Sequence, residues 1–135
     1  MLRSLRAAER RQVLAADHYS RGMFEEARQA YAQALACIEA ARVDDRHGRA
    51  ALHANMAACH RRHKQPDAAV AECDLALRLL PRFGRALFRR AATLLEAGKP
   101  TDAVAAFEAL YRVDRDWPRL ADWLVRVHAA ARRTE

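Results

Sequence analysis

Apolar residues recur along this chain at the three-and-four spacing of an α-helix, with polar residues between them. Val70, Cys73, Leu77 and Leu80 form one such stripe. The breakers are few. Gly22, Gly48 and Gly98 each follow a periodic segment, and Pro66 and Pro100 each stand just before a new one, as proline does at the first helical position. Pro81 closes a helix and Pro118 opens the last. The pattern predicts seven helices, over about 5–21, 24–44, 48–63, 66–80, 83–97, 100–113 and 117–133.

The predicted helices come in pairs, and the pairs repeat. Ala69 and Ala103 are 34 residues apart at the same place in the second helix of their pairs. Cys73 and Phe107 keep that spacing, as do Ala57 and Ala91 in the first helices. Gly98 falls in the turn within the last pair, where Lys64 stands in the middle one. The first pair fits the same template with Ala15, Gly22, Ala27, Tyr31 and Ala34, offset by 42 residues. The extra eight residues fall near the end of a long second helix, around Ala41 to Gly48.

Composition narrows the class. The chain has 135 residues, one domain's worth, and 52% of them are apolar, too many for a disordered segment. Alanine occurs 32 times while Val, Ile, Thr and aromatics are scarce, which favours helices over sheet. No run approaches a membrane span, and residues 1–12 lack the apolar core of a signal peptide. The Arg-rich start MLRSLR runs into Glu9 and continuous helical pattern, so a transit peptide is not expected. Cys37, Cys59 and Cys73 have no paired spacing, and read as small buried thiols in a reducing, cytoplasmic setting.

A 34-residue helix–turn–helix unit with these small and aromatic positions resembles the tetratricopeptide repeat (TPR). The family's three small positions per unit read here Ala15, Ala27, Ala34; then Ala57, Ala69, Ala76; then Ala91, Ala103, Leu110. Its aromatic position reads Tyr31, Cys73 and Phe107. The resemblance implies an all-α, right-handed TPR superhelix in a single domain. Its three repeats would span about 8–45, 50–82 and 84–116, with a capping helix over 117–133 that carries Trp117 and Trp123 against the last repeat. Small residues let neighbouring helices approach closely, which a plain helical bundle would not require at a fixed register.

The stretches ANMAACH (54–60), ECDLALRLLP (72–81) and RALFRRA (85–91) resemble more narrowly the TPR domains of heat-shock co-chaperones and of related plant multidomain proteins. That group holds the terminal carboxylates of an acidic EEVD tail in a five-residue clamp on the first helices of its pairs. Three clamp positions carry over as Asn55, Arg85 and Arg89. At the other two the group has Lys and Asn, and this chain has Gln12 and Ala16. Arg85 and Arg89 stand one helical turn apart on one face, and arginine forks suit carboxylates. Asn55 would donate a further hydrogen bond, and Arg61 and Arg62 would extend the positive potential. The expectation is a monomeric, cytoplasmic adaptor with a degenerate clamp, taking acidic C-terminal tails of chaperones of the 70 and 90 kDa classes. The rival readings are a scaffold with no working clamp, and RNA binding by the +7 charge, which 22 arginines dominate. Against RNA, no stacking aromatics interleave with the arginines.

Other chemistry is weak. His53, Cys59, His60 and His63 share a helix, but only His60 and His63 share a tight face and no carboxylate converges on them. Asp17 and His18 lack a nucleophile. There is no phosphate loop and no HExxH motif, so neither enzyme activity, metal nor cofactor is expected.

Overall fold

The computed structural model describes residues 1–134, all helices and turns. The helices are α1 (Leu2–Ser20), α2 (Phe24–Ala41), α3 (Arg46–Arg62), α4 (Pro66–Leu79), α5 (Gly84–Glu96), α6 (Pro100–Val113) and α7 (Leu120–Arg133). Each packs on its neighbours in sequence, most extensively within the pairs α1–α2, α3–α4 and α5–α6, and α3 also meets α5. Among the described residues, no helix is long and apolar enough to cross a membrane.

The turns inside the pairs are built alike. Met23 N–H donates to His18 O (2.9 Å), Gln65 N–H to His60 O (2.8 Å) and Lys99 N–H to Leu94 O (3.0 Å). This bond, five residues back, is the helix-ending Schellman motif, which needs a left-handed residue just before the donor. Gly22 and Gly98 supply it with φ of +77°, and Lys64 takes φ of +58° at the same place. Pro66 and Pro100 then start α4 and α6, where a missing N–H costs nothing.

Several boundaries differ from expectation. α2 stops at Ala41, because Arg42 turns left-handed. Gly48 is no breaker: it lies in the first turn of α3, where its N–H donates to Oδ1 of the capping Asp45 (2.8 Å). A Cβ there would sit 2.1 Å from Asp45 Oδ2, so with any other residue the capping carboxylate would have to shift. Pro118 does not open α7 either. Trp117 to Arg119 form a turn ahead of it, with Arg119 left-handed as N-cap. Trp117 therefore reaches back to α5, its ring filling the space where Gly84 has no Cβ, since a Cβ would come within 2.6 Å.

All nine small positions read from the repeat are buried, each with at most 1% of its surface exposed. Of the aromatic positions, Cys73 and Phe107 are fully enclosed and Tyr31 nearly so. Phe107 stacks on Trp123 (centroids 5.5 Å apart) and meets Phe88 edge-on, while Phe88 stacks on Trp117. The two tryptophans thus clamp the last pair from outside it, one from the turn and one from α7.

The thiols fall into two classes. Cys59 and Cys73 are buried, and burial pushes their pKa up to about 11 and about 12 respectively. Cys37, expected to be buried, is only half so. At pH 8 a thiol reagent should modify Cys37 alone on the native protein, and all three only in urea. Rapid modification of three thiols without denaturant would contradict this.

Candidate functional site

α3 and α5 bring Asn55, Arg85 and Arg89 together. Asn55 and Arg89 are equivalent by the repeat, and the superhelical register sets their side chains in contact. Arg89 Nη1 donates to Ala54 O (2.7 Å) and to Asn55 Oδ1 (3.2 Å). The second bond engages the oxygen of the Asn55 carboxamide, and its two N–H donors have no partner among the described residues. Arg89 is half-buried, and its next turn is closed by Thr93 Oγ1 donating to Arg89 O (2.6 Å). Arg85 is exposed, its guanidinium 5.4 Å from the centroid of the Phe83 ring.

Neither arginine pairs with a carboxylate among the described residues. Burial first, and then the like charge of Arg85, push the pKa of Arg89 down from its ordinary value. An arginine stays protonated regardless. The result is two adjacent cations, one of them half-desolvated, with no counterion and with amide donors beside them. Such a place is complementary to an anion, and a planar carboxylate matches the guanidinium forks.

The facing side of α1 adds little. Gln12 is half-buried and Ala16 exposed, and neither side chain hydrogen-bonds to the three residues above. Tyr19, three residues beyond Ala16 on the same face, lies within electrostatic reach of Arg89. It also meets Phe24 edge-on at 5.2 Å.

Arg61 and Arg62 part company. Arg61 holds Glu96 of α5 with both sides of its fork, Nε to Oε2 at 2.8 Å and Nη2 to Oε1. Its charge is therefore largely compensated, which does not suit the steering expected of it. Arg62 lies 5.0 Å from the centroid of Phe24.

Two of the histidines have side-chain hydrogen-bond partners. His53 pairs with Glu72 on α4 (2.7 Å) and His60 with Gln65 (2.9 Å). Among the described residues, no three His, Cys, Asp or Glu side chains gather as a metal site. Asp17 pairs with Arg21 (3.1 Å) rather than with His18.

Sequence reasoning missed Tyr19, Phe24 and Glu96. The only sequence signal for Glu96 is its place 35 residues after Arg61, one off the repeat period, and nothing there says which arginine it takes.

No protein-family model matches the chain. Solved structures do. The first TPR of Spaghetti (RPAP3), bound to the HSP90 peptide SRMEEVD, superposes with a TM-score of 0.80 at 20% identity over 94% of this chain and 97% of that one. The Hsp90 co-chaperone Cns1 from Saccharomyces cerevisiae gives 0.83 at 22% identity, over 94% of this chain and 40% of that one. The second TPR domain of human RPAP3, in complex with the HSP70 peptide SGPTIEEVD, gives 0.74 at 20% identity over 93% and 95%. This chain has the TPR fold, as its sequence resemblance implied.

Proposed function

We propose that this protein is a non-enzymatic adaptor that binds an acidic C-terminal peptide tail, of the EEVD type carried by heat-shock chaperones of the 70 and 90 kDa classes. The repeat units would be 8–45, 50–82 and 84–116, with 117–133 as the cap. The observation that carries the reading is the uncompensated pair Arg85 and Arg89 beside the free amide donors of Asn55. Two structural neighbours bound to EEVD-ending peptides support it. Arg85 and Arg89 hold a carboxylate, Asn55 donates to a second carboxylate oxygen, and Arg62 steers. Gln12 and Ala16 supply no charge, so the clamp is partial. Three free thiols fit a reducing compartment such as the cytoplasm.

The test is an anisotropy titration with N-terminally labelled SRMEEVD, as the free acid and as the C-terminal amide. The free acid should bind, and amidation should weaken it about tenfold, the worth of roughly one charge-assisted hydrogen bond. Absence of binding by either peptide would refute the proposal. Steep salt-dependent binding to RNA in its place would favour the nucleic-acid alternative.

A further inference from the structure

A second feature lies along the same surface. Where α3 and α5 end, a cleft of about 800 Å³ opens between them and the start of α2, lined by Phe24, Arg61, Arg62, Lys64, Thr93 and Glu96 among others. Its charge is lopsided. Arg62 and Lys64 pair with no carboxylate among the described residues. Glu96 is the acidic residue of the lining, and it is surrounded: its pKa is pushed down by Arg61 first, then also by Arg126 of α7 and by Arg62. Arg61 is 25% exposed and Glu96 is 51% exposed, so their pair stands at the cleft mouth in contact with water. Bidentate geometry makes this pair firmer than most surface pairs, but its Glu96 side is open to water, where a competing carboxylate reaches the fork.

The cleft is also at a defined distance from the Arg85–Arg89 pair. Thr93 lies four residues beyond Arg89 on α5, and Arg61 six beyond Asn55 on α3. At 1.5 Å of rise per residue that is about 6–9 Å along the helices. An extended peptide covers it in two or three residues, at about 3.3 Å each.

Building on the acidic-tail reading above, we propose that this cleft is a second acidic subsite. It takes a carboxylate side chain two or three residues from the one held by Arg85 and Arg89, and Glu96 is a resident stand-in which that side chain displaces from the Arg61 fork. The geometry of the stand-in is what a bidentate ligand would adopt. Removing it frees Arg61 without removing any ligand contact. Tails with one acidic residue would then bind poorly, and tails with a second acid at the right spacing would be selected.

SRMEEVD carries glutamates two and three residues before its terminal Asp, so it is the probe. Its partner is the same peptide with both glutamates changed to glutamine. Wild-type protein should bind the parent about three- to tenfold more tightly than the double-Gln peptide. Glu96→Gln should tighten the parent a further three- to tenfold and leave the double-Gln peptide within twofold. Arg61→Ala should erase the preference between the two. Asp102→Asn, an exposed carboxylate on α6, controls for net charge and should change neither. A circular-dichroism melt of Glu96→Gln confirms that its fold persists. If binding needs the terminal Asp and Arg85 but ignores the glutamates and Glu96, the subsite is overturned while the carboxylate site stands. Equal tightening of both peptides by Glu96→Gln also overturns it. If no variant binds either peptide, both readings fall together.

Discussion

Replacing Arg85 by alanine is expected to weaken binding of an acidic tail by about ten- to a hundredfold while shifting the melting temperature by no more than about 2 °C. Arg85 is exposed and makes no hydrogen bond within the protein, only its stack on Phe83. Surface changes of this kind cost about 0.5 kcal/mol or less. A charge-assisted hydrogen bond to a ligand is worth about 1.5–3 kcal/mol, and 1.4 kcal/mol is a decade of affinity. Arg89→Ala should lose at least as much binding but is not equally clean. It also removes the tie to Ala54 O and Asn55, which joins α3 to α5. Losing that tie between the helices should cost about 1 kcal/mol of stability. The converse change is the double substitution Gln12→Lys with Ala16→Asn. It restores on α1 the two residue types that the co-chaperone resemblance implies, and should tighten binding by about ten- to a hundredfold. Isothermal titration on the four proteins decides the matter. Unchanged affinity in Arg85→Ala would remove the carboxylate site.

Phe107→Ala is expected to be the most damaging single substitution for the fold, at about 3–5 kcal/mol. The ring is fully enclosed and touches aromatic rings on both sides, Phe88 from α5 and Trp123 from α7. Domain stabilities are about 5–15 kcal/mol, so this one cavity threatens a large part of the total. The damage should begin at the carboxy-terminal end. With Phe107 gone, Trp123 loses its stacking surface, and tryptophan emission should shift to the red at lower urea than the loss of helical circular dichroism. Cys73→Ala is the internal comparison, because Cys73 holds the equivalent place one repeat earlier and is equally buried. It removes a single sulfur atom and should cost much less. A Phe107→Ala protein destabilised by under about 1 kcal/mol would show that the aromatic layer is not what fastens α7.

The nine small positions were readable because their cause is local and periodic. Helices that cross closely need a residue without bulk at each contact, and a 34-residue unit puts those contacts at fixed places. Seven helices followed from apolar spacing and from Gly22, Pro66, Gly98 and Pro100, whose backbone requirements are properties of the residues themselves. The same register made the meeting of Asn55 and Arg89 readable, since they occupy one position in successive units. Gly48 was misread because glycine serves two ends: it breaks helices, and it makes room for a close side chain, here Asp45. Trp117 was misplaced because Pro118 can open a helix or precede its turn, and only the packing of the ring over Gly84 decides. The pairing of Arg61 with Glu96 lay beyond sequence altogether. With 22 arginines and 17 acids, local rules name many partners. The curvature that sets α3 against α5 chooses one, and it also half-buries Arg89 without a counterion. Periodicity determines which residues share a face; the distance between faces, and so which charges are satisfied and which are left for a ligand, belongs to the tertiary structure.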